Sequence, residues 1–250
     1  MVIGINKFRE WFKGYENQYV VIGGTACDIL FAEAGLSFRA TRDMDLVLIV
    51  EVLTAEFCTR FWEFLKAAGY EHLNKSTGNA QFYRFSKPKN KDYPTMIELF
   101  SKKPENLLLP DDAILAPIPM EEEISSLSAI LMDDVYYKFL RSGTIVIDGI
   151  TVLSEYHLIP FKAKAWLDLR QRLAQGEHID SKDIKKHRND VFKLISLLNM
   201  KEMGIIPPDI KKDMSEFIMQ MTEENINLKA LNIVGTKEEL VERLRKVYLG

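Results

Sequence analysis

The chain has 250 residues, of which 47% are hydrophobic and 28% are charged, and its formal net charge is −3. This composition is typical of a globular protein and argues against a disordered chain or a globally basic nucleic-acid binder. The length allows one large domain or two smaller domains, each with its own core.

The two cysteines and the start of the chain indicate the compartment. Cys27 and Cys58 lie in apolar segments that are expected to be helical, which is typical of buried reduced thiols rather than a disulfide framework. No apolar run near the N terminus resembles a secretory signal. None along the chain reaches the ~18 residues needed to cross a bilayer. The sequence therefore predicts a cytoplasmic protein without a membrane partner.

Strand and helix signals alternate through the first part of the chain. Tyr19–Ile22 predicts a buried strand that ends at two glycines, and Thr25 is expected to cap the helix that follows. Another helix is expected to begin at Thr54 and to end at Gly69. The other elements predicted here are an amphipathic helix over 4–14, a helix over 26–34 and strands over 43–50, 81–86 and 95–100.

The rest of the chain changes from mixed to helical. A loop is expected over 104–122, then a helix around 125–140 and a hairpin with Asp148-Gly149 as its turn. Thr236 and Glu239 have the spacing of a capping box. Helices are predicted over 161–175, 181–199 and 207–223, and a last one from Thr236. The predicted fold class is α+β, with a mixed sheet and flanking helices over 1–158 and a helical bundle over 159–250.

Two aspartates alternate within the apolar strand predicted over 43–50. Asp43 and Asp45 project to the same side, with Met44 on the other side. Two carboxylates this close together repel each other unless a cation lies between them. Oxygen ligands at this spacing suit Mg²⁺ or Mn²⁺, which also carry nucleoside triphosphates. The alternative is that Asp43 only begins the strand and that Asp45 lies on an exposed edge.

The glycines before this strand add a second feature. A strand that ends in Gly-Gly-Thr at a helix start presents backbone N–H groups and a positive helix end to an anion. Gly23 and Gly24 let a phosphate approach closely, and Thr25 adds a hydroxyl. The turn and the aspartates together predict a site for a metal-bound nucleoside triphosphate, with the Gly24 N–H open to solvent or ligand. The nearby Arg39 and Arg42 either contact phosphate or balance the charge of the aspartates.

A third carboxylate lies in a later predicted strand. Glu98 is the one acid in the apolar run from Thr95 to Phe100. On a strand beside Asp43 and Asp45, it would bind a second metal ion or accept the proton of an attacking hydroxyl. The alternative is a surface glutamate on an edge strand.

These residues resemble a known superfamily. Gly23-Gly24-Thr25, followed by Arg39-x-Thr41-x-Asp43-Met44-Asp45, is similar to the signature of nucleotidyltransferases related to DNA polymerase β. Within them it most resembles the abortive-infection toxins of the AbiEii and AbiGii type. The resemblance covers about residues 17–195 and implies a nucleotidyltransferase domain over 1–158. It also implies a nucleoside triphosphate (NTP) as substrate, Mg²⁺ or Mn²⁺ as cofactor, and nucleotide binding by Gly23, Gly24, Thr25 and Arg39.

The resemblance continues after the predicted hairpin. Lys162, with an alanine three residues later, matches the lysine that meets the nucleotide phosphates in this branch, and Lys164 is the competing candidate. An ammonium there would stabilise charge on the leaving pyrophosphate. Asp190 matches the second acid of a later motif, whereas His187 stands in place of the first. The residues alone also allow a solvated basic helix for Lys162 and an N–H or lysine partner within the helical domain for Asp190.

Three functions are compatible with these residues. The first is transfer of a nucleoside monophosphate to an acceptor hydroxyl. By resemblance, this would be a toxin in phage defence that modifies a transfer RNA, another RNA or a protein and has an antitoxin protein as partner. The second is an antibiotic-modifying nucleotidyltransferase, in which the acidic segment 104–134 would hold a cationic drug. The third is a degenerate nucleotidyltransferase fold that serves as a binding module. Residues 162–193 carry nine Lys or Arg against five acids, which suits an RNA partner.

Overall fold

The computed structural model describes residues 2–71, 83–102, 115–117, 128–199 and 205–250. The chain forms two compact units, Met1–Leu153 and Ser154–Gly250. The first unit combines a mixed sheet with helices and the second is helical, so the fold class is α+β. Among the described helices, none is both long and apolar enough to cross a membrane.

An eight-stranded sheet runs through the described part of the first unit. Its strands are β1 (Tyr19–Ile22), β2 (Asp43–Leu48), β3 (Arg84–Ser86), β4 (Met96–Ser101), β5 (Leu115–Pro117), β6 (Ser128–Leu131), β7 (Thr144–Ile147) and β8 (Ile150–Leu153). They lie in the order β5-β6-β4-β2-β1-β8-β7, and β3 also pairs with β4. Strand β2 is antiparallel to β1 and parallel to β4, which places it near the centre of the sheet.

Four helices accompany this sheet in the described ranges of the first unit. They are α1 (Ile5–Trp11), α2 (Gly23–Glu33), α3 (Ala55–Ala68) and α4 (Asp134–Ser142). Thr54 caps α3 by accepting a hydrogen bond from the Phe57 N–H, and Gly69 ends α3 in the left-handed conformation, as predicted. The apolar face of α3 and the start of the chain form an aromatic core in which every member is at most 1% exposed: Phe8, Phe12, Tyr19, Phe57, Phe61 and Phe64.

The predicted hairpin is confirmed. Strands β7 and β8 pair antiparallel, with Ile147 opposite Ile150. Asp148 and Gly149 between them have φ values of +48° and +74°. Two positive φ angles define the turn that matches the right-handed twist of the strands, and they explain the Asp-Gly sequence.

The acidic region after β4 differs from the prediction. The loop predicted over 104–122 contains β5, and the helix predicted around 125–140 is replaced at its start by β6. The rest of 103–127 lies outside the described residues. Helix α4 begins only after Asp133, whose carboxylate accepts hydrogen bonds from the N–H groups of Val135 and Tyr136. A short apolar run is compatible with either a helix or a strand, and pairing with β4 decides for a strand.

The second unit contains helices α5 (Glu155–Ala174), α6 (Ser181–Leu194), α7 (Pro208–Glu223) and α8 (Lys237–Tyr248). Helix α6 ends five residues before the predicted 199, where a 3₁₀ turn follows. The predicted capping box at α8 is confirmed, with reciprocal bonds between Thr236 and Glu239. The domain boundary expected at 158 falls inside α5.

Helix α5 begins before Pro160, although the sequence predicts its start after it. A proline within a helix cannot donate to the carbonyl four residues earlier, which here belongs to Tyr156. The Tyr248 hydroxyl donates to that carbonyl at 2.7 Å. A tertiary hydrogen bond from α8 therefore replaces the missing helical one, and α5 continues through the proline.

Candidate functional site

The turn between β1 and α2 brings a glycine against a carboxylate. Helix α2 begins at Gly23, whose φ is +68°, and a Cβ built on Gly23 would lie 1.9 Å from Oδ2 of Asp45. No side chain with a Cβ fits between these two groups. A carboxylate beside the first residue of a helix interacts favourably with the helix dipole. The Asp45 carboxylate on β2 therefore lies close to the start of α2.

The next glycine is covered. Gly24 is buried, and a Cβ there would lie 2.6 Å from Oγ1 of Thr41 and 3.4 Å from Nη2 of Arg39. The Cα side of Gly24 is thus covered by side chains, and the open N–H expected for Gly24 stays a prediction. The Arg39 guanidinium lies over this part of the turn. A phosphate that approaches the turn from this side meets that guanidinium first.

Thr25 has a different position from the predicted one. Helix α2 already begins at Gly23 and its N-cap is Ile22, so Thr25 is not the helix cap. Its side chain is fully buried, and its hydroxyl donates to the backbone carbonyl of Asp43 at 2.6 Å. That donor fixes the beginning of β2 against α2. Its predicted contact with phosphate stays a prediction.

The two aspartates share one face of β2. Asp43 and Asp45 are both partly exposed, whereas Met44 between them is fully buried. The alternation of exposure agrees with the alternation of a strand. Asp45 is also the register partner of Glu98 on the parallel strand β4. The strand adjacency predicted for Glu98 is therefore present.

Glu98 has a partner that the sequence interpretation missed. Nε of Arg84 donates a hydrogen bond to Oε1 of Glu98, and Nη2 forms an ion pair with the same oxygen. Arg84 is the register partner of Glu98 on β3. The signal in the sequence was an arginine within the predicted strand 81–86. Its pairing depended on the register of β3 and β4, which the sequence does not state.

The residues on β2 fit a hard divalent ion bound in part by substrate. Mg²⁺ in nucleotide sites commonly takes one or two protein carboxylates and completes its shell with water and phosphate oxygens. Asp43 and Asp45 supply two such carboxylates. Within the described ranges, however, no group of three His, Cys, Asp or Glu side chains is placed to hold a metal ion. Glu98 as a third metal ligand stays a prediction.

The remaining predicted site residues lie in the second unit. Lys162 on α5 donates to Oδ2 of Asp190 on α6 at 3.0 Å. The two residues are only 4% and 1% exposed. The competing Lys164 lies 3.0 Å from Asp168, and its side chain is 40% exposed. The structure thus shows the lysine partner for Asp190 that the residues alone allowed. The catalytic roles implied for Lys162 and Asp190 stay predictions.

Comparison with known proteins finds similarity to solved structures. No family model matches the chain, and no curated protein matches it. The chain is similar to the crystal structure of the Megavirus polyadenylate synthase, with a TM-score of 0.41, 14% sequence identity and 88% of this chain covered. The match spans 37% of the length of that structure. Function is therefore inferred from the geometry of the site.

Proposed function

We propose that this protein is a nucleotidyltransferase that moves a nucleoside monophosphate from an NTP to an acceptor hydroxyl with Mg²⁺ or Mn²⁺ as cofactor. One observation supports it above the others. The glycine turn and β2 form a single cluster, in which Asp45 lies against Gly23 and Arg39 lies over Gly24. A helix start, a guanidinium and two carboxylates are the groups that a metal-bound triphosphate requires.

Each group has a separate task in this proposal. Arg39 and the start of α2 bind phosphate oxygens, and Asp43 and Asp45 would hold the metal ion. Such an ion, when bound, would stabilise the negative charge of the phosphates. Thr25 acts indirectly, since its hydroxyl bond to the Asp43 carbonyl keeps β2 in place.

The transfer step exchanges a phosphoanhydride bond of the NTP for a phosphoester bond to the acceptor. The acceptor oxygen attacks the α-phosphorus, the bond from the α-phosphorus to the bridging oxygen breaks, and pyrophosphate leaves with that electron pair. The acceptor proton passes to a carboxylate, for which Glu98 is the residue predicted from sequence. The charge on pyrophosphate is predicted to be stabilised by Lys162, with Asp190 as its partner.

The proposal also covers the acceptor and the biological role. The motif resemblance supports a toxin of a phage-defence system, with a transfer RNA or a protein as acceptor and an antitoxin as partner. Lys182 and Lys185 are exposed on α6, which supports an RNA acceptor. Induced expression of the parent should arrest bacterial growth, and expression of Asp45→Asn should not. Equal growth of the two strains would contradict the toxin role.

One observation favours a second candidate, a binding module without transferase activity. Two of the groups predicted to take part in chemistry are engaged elsewhere, Glu98 with Arg84 and Lys162 with Asp190. Such a module would bind a nucleotide without consuming it. The antibiotic-modifying alternative depends on the acidic segment 104–134, most of which lies outside the described residues.

The decisive experiment separates binding from transfer. The protein is incubated with each α-labelled NTP, Mg²⁺ or Mn²⁺, and total RNA or protein, and label on the acceptor is measured beside the NTP-induced shift in melting temperature. We expect both signals in the parent and neither in Asp45→Asn. A shift without label would support the binding module. Neither signal in the parent would refute nucleotide chemistry at this site.

A glycine substitution provides a matched control for that experiment. Gly23→Ala places a Cβ against Asp45, whereas Gly35→Ala, at nearly the same φ of +69°, has no atom within 4 Å. Both changes strain the backbone, but only the first displaces a site carboxylate. We therefore expect the NTP-induced shift to be lost in Gly23→Ala and kept in Gly35→Ala. Equal shifts in the two variants would contradict the proposed position of the site.

A further inference from the structure

Three side chains form a row across adjacent strands of the first unit. Asp45 on β2 is the register partner of Glu98 on β4, and Glu98 is the register partner of Arg84 on β3. Register partners on neighbouring strands project to the same face of a sheet. Arg84 therefore lies on the face that carries the aspartates of the candidate site.

The contact with Glu98 positions Arg84 but uses only some of the N–H donors of its guanidinium. A guanidinium has five N–H donors in a rigid planar fork. The contact with Oε1 of Glu98 uses Nε and Nη2, so the donors of Nη1 are not used by it. The Glu98 side chain is 13% exposed and the Arg84 side chain 49% exposed. A largely buried carboxylate thus anchors a guanidinium that remains accessible to solvent.

The negative charge of the expected ligand requires cationic side chains at the site. A nucleoside triphosphate with one divalent ion keeps a net charge of about −2, which cations of the protein must offset. Lys162, the cation implied by resemblance, is buried in its ion pair with Asp190. Arg39 over Gly24 is one guanidinium at the site. Arg84 supplies a second one, already oriented by its anchor.

We propose that Arg84 is a phosphate-binding residue of the nucleotide site and that Glu98 is its positioning residue. This inference rests on the proposed function, because it assigns the ligand of Arg84 as the triphosphate of the bound nucleotide. It gives Glu98 a task that does not require the carboxylate to bind a metal ion. At one end of this row Asp45 would bind the metal ion, and at the other end Arg84 would bind phosphate.

The test measures ligand binding by titration calorimetry rather than turnover. The ligands are ATP, inorganic triphosphate and adenosine, each with and without Mg²⁺. The variants are Arg84→Gln, Arg84→Lys, Glu98→Gln and the double variant Arg84→Gln/Glu98→Gln. Arg141→Gln is the matched control, because Arg141 makes a similar half-exposed ion pair at 3.3 Å with Glu51, just beyond the opposite end of β2. Melting curves confirm that each variant is folded.

We expect Arg84→Gln to weaken binding of ATP and triphosphate by roughly 10- to 100-fold, the usual effect of losing a charge-assisted hydrogen bond. Arg84→Lys should lose less, since it keeps the charge but not the fork. Adenosine binding and the Arg141→Gln control should match the parent. Glu98→Gln should weaken binding in the parent and add no further loss in the Arg84→Gln background.

Other results would distinguish a failure of the Arg84 proposal from a failure of the proposed function. If the parent binds ATP and Arg84→Gln binds it equally well, the role of Arg84 is refuted while the proposed function stands. If Glu98→Gln weakens binding further in the Arg84→Gln background, and only with Mg²⁺ present, Glu98 is a metal ligand instead. If the parent binds neither ATP nor triphosphate, the proposed function fails, and the role of Arg84 fails with it.

Discussion

The buried ion pair between Lys162 and Asp190 makes a stringent prediction for the second unit. Replacing Lys162 by Met leaves a carboxylate that is 1% exposed without its cation, and Asp190→Asn leaves an ammonium at 4% exposure without its anion. Removing one partner of such a pair costs about 3–5 kcal/mol, because the remaining charge stays buried. With a urea dependence of about 2 kcal/mol per molar, the midpoint of unfolding should fall by about 2 M.

The double variant distinguishes the cost of a lone charge from the value of the pair. Lys162→Met/Asp190→Leu removes both charges and fills the site with apolar groups, so its midpoint should lie within about 0.5 M of the parent. Urea unfolding is followed by circular dichroism and by tryptophan fluorescence, since Trp166 is buried on the same helix. If either single variant unfolds at the parent midpoint, the two groups are not buried as described. The stable double variant then allows the predicted role of Lys162 in transfer to be measured without unfolding.

Two further predictions concern single hydrogen-bonded groups. Tyr248→Phe removes the donor to the Tyr156 carbonyl and should destabilise the protein by about 1–3 kcal/mol in urea unfolding, the cost of an unsatisfied buried acceptor. Adding Pro160→Ala should recover most of this loss, since the new N–H reaches the same carbonyl, and no recovery would refute the explanation. For Glu51, burial alone would raise the pKa, but hydrogen bonds led by that from Lys102 outweigh it and lower the pKa from 4.5 to about 2. A carboxylate with a lowered pKa stabilises the fold above pH 4.5, and this stabilisation is lost as the pH falls towards 2. The free energy of unfolding of Glu51→Gln should therefore depend less on pH between 4.5 and 2 than that of the parent. The same pH dependence in both proteins would contradict the assignment.

Local chemistry made several elements predictable from the sequence. The cap of α3 and the capping box of α8 are contacts between residues three positions apart. The turn at Asp148-Gly149 requires two positive φ angles, which few other residue pairs adopt. In each case the deciding interaction lies within one short segment. Such local signals predict the structure correctly where the tertiary contacts favour the same conformation.

Other elements depended on partners far away in the sequence. The apolar run of β6 has no helix or strand period of its own, and its pairing with β4 decides its conformation. Helix α5 passes through Pro160 because Tyr248, at the far end of the chain, donates to the carbonyl that the proline leaves open. The partner of Glu98 is Arg84 because β3 and β4 pair in one particular register. None of these three contacts has a local signature.

The candidate site combines both kinds of information. Its residue types were predictable, because the glycines and the alternating aspartates form a compact motif. Its contacts were not, since the packing of Arg39 and Thr41 over Gly24 depends on how the segment between α2 and β2 folds. Thr25 likewise uses its hydroxyl within the fold. A motif thus names the groups at a site, while packing decides which of them face a ligand.

The like charges of Asp43 and Asp45 are less costly than the sequence suggests. Both side chains are partly exposed, so water screens their repulsion. Asp45 also lies against the first residue of α2, where the positive end of the helix dipole favours a carboxylate. The strand can therefore hold two aspartates on one face before any cation binds. In the proposed function, the metal ion would therefore bind carboxylates that the strand already places on one face.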